Sequence, residues 1–280
     1  MKPTKKTYNY DRFRRKARQM KYKIAIAQTC HPEDGDVVAL VECFAAEAHA
    51  KGAELVVFPE SLMSRYEADL GDFLAESQPL DGPFTQAVDA IAAKYGIWIV
   101  YTMNELNPEG KPFNTAIVTD DKGARRGFYR KVHLFDSATT CESERMSASD
   151  ALFEPIDTPF GKLGMIICYD LRFPETTRAA ALAGCDLLVC PAAWVDGPGK
   201  AIQWETLLKA RAIENEMFVI GSCRADDGYV GHSLAVGPDG AVHASGGEDE
   251  ALLIALLDTA DLDRVRSAIP VFEHRRPKLY

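Results

Sequence analysis

The sequence predicts an α/β fold, and three observations carry that reading. Short runs rich in Val, Ile, Leu and Ala recur along the chain and read as strands buried on both faces. Segments with apolar residues at helical spacing lie between them, and glycine or proline marks the junctions. Strands covered on both faces need helices layered over the sheet, and 280 residues suffice for one large domain of that kind.

Taken in order, residues 22–29 (YKIAIAQT) alternate and then run apolar, as a strand does. Residues 35–51 follow with Val37, Leu40, Val41, Phe44 and Ala48 at helical spacing, closed by Gly52 as a C-terminal cap. LVVFPE at 55–60 is the next strand. A helix is expected near 85–95, strands at 97–105, 115–120 and 163–168, a helix at 175–183, a strand at 186–190, a helix at 203–216 and a strand at 218–223. Asp121-Lys122-Gly123 and Pro238-Asp239-Gly240 are hairpin turns that add antiparallel neighbours. No linker, repeat or low-complexity stretch divides the chain, so residues 21–280 are expected to form a single domain behind a basic extension at 1–20.

Charge excludes some partners. Residues 1–23 carry ten Lys or Arg against one acid, Asp11; of 32 bases and 41 acids in the whole chain, that leaves 22 and 40, a body of net −18. Such a body repels phosphate backbones, and nucleic-acid binding is not expected. No run approaches the roughly 18–20 apolar residues that cross a bilayer, so no membrane partner is expected either. The basic tail lacks the apolar stretch of a secretory signal. Seven cysteines, an odd number scattered through apolar segments without Cys-x-x-Cys pairs or clustered His, indicate reduced thiols in a cytoplasm and neither disulfides nor a metal site.

Several chemistries lose support for want of their motifs. There is no Gly-x-Gly-x-x-Gly, no His-Glu-x-x-His and no Gly-x-Ser-x-Gly. Gly197-Pro198-Gly199-Lys200 lacks the earlier glycine and the following Ser or Thr of a phosphate-binding loop. What remains is a set of polar residues near strand ends, where α/β sheets place their ligands. Glu60 ends LVVFPE, Lys131 sits in YRKVHLF, and Cys168 ends LGMIIC. Taken singly, each is equally the mark of a surface carboxylate, a solvated amine or a core thiol.

Together, the segments FPES, YRKVHLF and ICYDLRFPE resemble the Glu, Lys and Cys motifs of the nitrilase superfamily, the carbon-nitrogen hydrolases, in that family's order and rough spacing. Pro191-Ala192-Ala193-Trp194, WETLLKARAIENEMFVIG at 204–221 and Gly231-His232-Ser233 extend the resemblance, which covers roughly residues 22–258. It implies a four-layer αββα sandwich, assembly into a homodimer or higher homo-oligomer, and hydrolysis of a small-molecule amide without metal or organic cofactor. Cys168 is then the nucleophile, Glu60 the general base and acid, and Lys131 the electrostatic partner. Glu142 matches the second glutamate that often follows the Lys motif, although the loop before it is short and Glu144 competes for the role. By family position Tyr66 and Trp194 line the pocket, and CYDLRFPE is most like members that act on ω-amides of dicarboxylic acids or on deaminated glutathione.

The residue chemistry is compatible with these roles. A thiol with a pKa near about 8.5 is mostly protonated at neutral pH and needs a base. Burial among Val57, Phe58 and Pro59 should raise Glu60 from about 4.3 towards a working value, against an opposing pull from Lys131. The Lys131 ammonium and the backbone N–H of Tyr169 are candidates to receive the oxyanion. Arg172 suits a substrate carboxylate, or equally an ion pair to Asp170 or Glu175. Arg211 and Glu214 read as a structural pair, and His133 and His232 as hydrogen-bonded rather than metal-binding. Alternatives are a nitrilase or N-carbamoyl hydrolase on the same three residues, a catalytically silent binding protein of the same fold, and a thiol redox protein, which would lack a resolving Cys-x-x-Cys.

Overall fold

The computed structural model describes residues 20–65, 69–137, 140–226 and 228–279. The chain runs β1 (Lys21–Gln28), α1 (Val37–Ala50), β2 (Leu55–Val57), α2 (Leu70–Glu76), α3 (Pro83–Tyr95), β3 (Trp98–Glu105), β4 (Phe113–Thr119) and β5 (Arg125–Arg130). It continues with β6 (Ile156–Thr158), β7 (Gly161–Met165), α4 (Pro174–Leu182), β8 (Leu187–Ala192), α5 (Lys200–Asn215), β9 (Phe218–Cys223) and β10 (Leu234–Val236). β11 (Val242–Ser245), β12 (Ala251–Asp258), α6 (Ala260–Ala268) and α7 (Val271–His274) complete it.

Among the described residues the strands form two six-stranded sheets, ordered β12-β1-β2-β3-β4-β5 and β11-β10-β9-β8-β7-β6. Each has a parallel centre, β1-β2-β3 in one and β7-β8-β9 in the other, with antiparallel strands outside it. The expected hairpins join β4 to β5 and β10 to β11, with Gly123 and Gly240 supplying the left-handed turn positions at φ 76° and 86°.

Side-chain alternation makes the sandwich. In β1, Tyr22, Ile24 and Ile26 face the second sheet, whereas Ala25 and Ala27 face α1 and α3. The rule repeats in β2 and β3: Leu55, Val57, Trp98 and Val100 point inward, and Val56, Phe58, Ile99 and Tyr101 point to the helices. On the other side α5 seats against β9, where a Cβ on Gly221 would stand only 2.6 Å from Trp204 and Leu208. The layers are therefore helix, sheet, sheet, helix, as the resemblance implies.

Helix α1 begins at Asp36, whose side chain accepts from the Ala39 N–H at 2.9 Å, and stops before Gly52 at φ 75°. Two expected strands end early. β2 stops at Val57 and β7 at Met165, so Glu60 and Cys168 lie beyond their strands, Cys168 opening a short 3₁₀ turn over Cys168–Arg172. Ser61 and Cys168 have left-handed backbones, at φ 54° and 45°. Such turns strain a non-glycine residue by on the order of 1–3 kcal/mol and persist only where the surroundings hold them.

Candidate active site

Because β1-β2-β3 and β7-β8-β9 are each parallel, the chain leaves β2, β7 and β8 at one end of the sandwich, and Glu60, Cys168 and Ala193 stand there together. Lys131 joins them from the residue after β5, its backbone N–H bonded to the Asn114 carbonyl at 2.9 Å. These residues line a cavity of about 380 Å³ with Asn114, Phe135, Glu142 and Tyr229.

Glu60 is saturated with donors. Oε1 accepts from Lys131 Nζ and from Asn114 Nδ2, both at 2.7 Å, and Oε2 accepts the Ala193 backbone N–H at 2.8 Å. The Cys168 thiol lies close enough to favour its ionised form. Burial alone would push this carboxyl up, as the sequence suggests. The charge and hydrogen bond of Lys131, with the thiol and the Ala193 N–H, overcome it and hold Glu60 below the ordinary carboxylate range. Glu60 is thus more acidic than an ordinary glutamate, where its burial among apolar residues in the sequence predicts a weaker acid.

Lys131 is as deeply buried as Glu60, and its second partner is Glu142, whose Oε1 and Oε2 lie 2.9 and 2.8 Å from Nζ. Burial opposes its charge, but Glu142, Glu60 and Cys168 together hold Lys131 well above the ordinary lysine range. Glu142 is itself fixed: Oε2 accepts the Phe135 N–H at 2.7 Å, and its own backbone N–H donates to the Phe135 carbonyl at 3.1 Å. The short loop therefore brings Glu142 to the lysine. Glu144, one turn on, is exposed at the cavity wall.

Cys168 is held well above the ordinary thiol range by burial first and then by the Glu60 charge, against the pull of Lys131. The resting site is a protonated thiol facing an ionised carboxylate, with a cation alongside. A proton can pass from sulfur to Glu60 without leaving the site, and the Lys131 charge remains for an anion formed at the sulfur's attack position.

A small recess beside the thiol is lined by Tyr169, Arg172, Trp194, Val195 and Lys200. Tyr169 packs its ring against Phe135 and Phe173, with centroids 5.0 and 5.3 Å away. Trp194 is mostly packing: it lies against Trp204 and donates Nε1 to the Lys200 carbonyl at 3.2 Å. Arg172 pairs with neither Asp170 nor Glu175. It donates to Gln203 Oε1 at 2.8 Å and lies over the Trp194 ring at 4.5 Å, because Asp170 is already engaged by other donors. Tyr66 lies outside the described residues.

Arg211 and Glu214 form the expected pair at 3.0 Å, and His232 Nδ1 sits 3.3 Å from Glu205. No group of three or more metal-ligating side chains occurs among the described residues.

Sequence reasoning missed three residues. Asn114, the polar member of a buried strand, holds Glu60. Arg224, almost wholly buried, donates to the carbonyls of Ser61 and Ser64 and so braces the left-handed turn after Glu60. Asp170 braces the turn of Cys168. For Asn114 the only signal is a polar side chain inside an apolar segment, whereas Asp170 lies within the Cys motif itself and Arg224 begins the charged stretch 224–227.

The carbon-nitrogen hydrolase family model matches residues 23–267. The chain is 37% identical over 247 residues to human omega-amidase NIT2, covering 85% of this chain and 88% of that protein. It is 35% identical over 251 residues to human deaminated glutathione amidase, covering 84% and 76%. The solved structure of Saccharomyces cerevisiae Nit3, a member of branch 10 of the nitrilase superfamily, superposes with a TM-score of 0.81 at 31% identity, covering 91% of this chain and 97% of that one. The chain belongs to the carbon-nitrogen hydrolase family. It is a hydrolase of carbon-nitrogen bonds with the nitrilase-superfamily fold.

Proposed function

We propose that the protein is a cysteine amidase that cleaves the C–N bond of a small aliphatic or ω-amide, giving a carboxylate and ammonia through a thioester on Cys168. The observation that carries this reading is the convergence of Glu60, Lys131 and Cys168 on the wall of one cavity, with Lys131 Nζ donating to Glu60 Oε1 at 2.7 Å. Sulfur attacks the amide carbon as its proton passes to Glu60, and the carbonyl electron pair moves to oxygen. Lys131 and the backbone N–H of Tyr169 receive that negative charge; one such donor typically contributes about 3 kcal/mol to lowering the barrier. When the oxyanion collapses the C–N bond breaks, Glu60 gives its proton to nitrogen, and ammonia leaves. Glu60 then takes a proton from water, whose oxygen attacks the thioester carbon. Collapse returns the proton to sulfur and frees the acid. Atoms and protons close over the cycle without a metal or organic cofactor, and Glu142 acts by holding Lys131.

Arg172 and Lys200 beside Cys168 supply positive charge for a substrate carboxylate remote from the amide. This agrees with the omega-amidase and deaminated glutathione amidase activities named for the human relatives. Residues 21–280 form one hydrolase domain in this reading. Pairing into a homodimer is supported by Ile202 and Ile213 on α5, which are 73% and 52% exposed. No helix among the described residues is long and apolar enough to cross a membrane, and all seven cysteines are free, which supports placement in a reducing compartment such as the cytoplasm.

Incubation with matched amides, nitriles and N-carbamoyl amino acids, with ammonia and acids quantified, tests the proposal. Equal yields of ammonia and acid from amides are expected. A preference for nitriles or carbamoyl compounds reassigns the activity, and turnover of none of them points to a silent binding protein.

A further inference from the structure

We infer that Asp170 is a positioning residue for this reaction, a buried carboxylate that ties the segment carrying Lys131 to the turn carrying Cys168 and so sets the distance from ammonium to sulfur. The side chain is fully buried and lines neither the cavity nor the recess. It takes four donors. Oδ2 accepts from Tyr129 Oη at 2.8 Å and from the Ile167 N–H at 3.0 Å; Oδ1 accepts from the His133 N–H at 3.0 Å and from His133 Nδ1 at 2.8 Å.

The placement of those donors carries the argument. Tyr129 is two residues before Lys131 and His133 two residues after it, while Ile167 immediately precedes Cys168. One carboxylate therefore grips both shoulders of the lysine and the residue leading into the left-handed nucleophile turn. A carboxylate oxygen can only accept, so the His133 imidazole carries its proton on Nδ1, and its ring is stacked on Phe173 at 3.7 Å. The grip is thereby fixed at His133 as well. A shift of about 1 Å at a reacting group is enough to cost on the order of 100-fold in rate, so a link of this kind bears on turnover although it touches no substrate.

The inference rests on Cys168 as nucleophile with Lys131 beside it, and the test separates the two. In Asp170→Asn one oxygen becomes an amide N–H₂ group, so one pair of donors loses its acceptor while shape is kept. Tyr129→Phe removes one donor and leaves Asp170 bonded to the other three. Both variants are assayed for kcat, KM, thermal melting and the pH profile of Cys168 alkylation by iodoacetamide; the thiol faces Glu60, Lys131 and the buried Cys190. The expected result for Asp170→Asn is a kcat lower by about 10 to 100-fold with KM within about threefold. Its alkylation profile should move to higher pH by about half a unit or more, because a displaced ammonium stabilises the thiolate less. Tyr129→Phe should move the same quantities in the same direction by less, and it decides the matter if Asp170→Asn does not fold. A folded variant with kcat within twofold of wild type, or with a lowered kcat and an unmoved alkylation profile, overturns the inference. Cys168→Ala is assayed alongside. If it retains turnover, the nucleophile assignment fails and the inference with it; if it is inactive while Asp170→Asn is normal, only the positioning role fails.

Discussion

The ammonium of Lys131 donates to Glu60 Oε1 at 2.7 Å, with the lysine side chain 2% and the glutamate side chain 4% exposed. Two opposite charges this deeply buried stabilise each other's ionised forms, and removing either one strands the other in a poorly solvated place. The pairing sets the protonation state in which the enzyme waits, and the pH behaviour follows from it.

The acid limb of kcat/KM should lie below the ordinary glutamate value of 4.5, because in the proposed reaction Glu60 takes the thiol proton while ionised, and its pKa is lowered. The sign for stability is the same. A depressed folded-state pKa means that the stabilisation is fully present above the ordinary glutamate value and is lost as pH falls through the depressed one. A pH-rate profile from 3 to 8 with parallel melting curves checks both. A limb near 6 would mean that burial, not Lys131, governs Glu60.

On the proposed mechanism Glu142→Gln should slow acylation by about 10 to 1000-fold, since the amide leaves Lys131 with less counter-charge and a weaker hold, misplacing the proposed oxyanion donor while the proposed nucleophile and base remain. Glu144→Gln should change the rate little, as an exposed loop charge usually does. Single-turnover acylation of the two variants decides between them, and damage confined to Glu144→Gln would contradict the placement of Glu142 on Lys131.

Arg172→Met should raise KM for an ω-amide bearing a remote carboxylate by roughly 10-fold or more and leave the corresponding uncharged amide nearly unchanged. The loss of one charge-assisted hydrogen bond sets that scale. Equal effects on both substrates would mean that Arg172 serves Gln203 and Trp194 alone.

Deleting residues 1–19 should leave kcat near wild type. Met20 is anchored to Thr259 at 2.9 Å at the start of β1, and the site lies beyond the other end of that strand's parallel neighbour, about 25 Å along a rise of roughly 3.3 Å per residue. A large fall in kcat with the oligomeric state unchanged would place the basic extension in the site.

Periodicity carried most of the fold. The alternation at 22–29 and the spacing at 35–51 became β1 and α1 within two residues, because both segments bury a continuous apolar face. β12, ALLIALLD, is itself a run of Leu, Ile and Ala like those that mark the other strands, although it is a partly exposed outer strand, whereas the short and charged α6 shows little helical apolar spacing. At the site, three dispersed motifs located Glu60, Lys131 and Cys168, but periodicity overran the strand ends at 60 and 168. The chain turns there into left-handed conformations held by Arg224, far away in sequence, and by Asp170, within the same short turn. Asp170 acts within its own turn, three residues from Ile167, whereas the Arg224 contact spans 163 positions and leaves no local pattern. The same holds for Asn114, whose role depends on a residue 54 positions away.

The most direct test of the catalytic account is rapid acid quenching during turnover of a good amide, followed by peptide mass mapping. The account predicts an acyl group on the peptide containing Cys168, formed fast enough to support turnover and absent in Cys168→Ala. An acyl group on another cysteine with Cys168 unmodified, or steady turnover with no acylated cysteine under conditions where hydrolysis of the acyl group limits the rate, would contradict it.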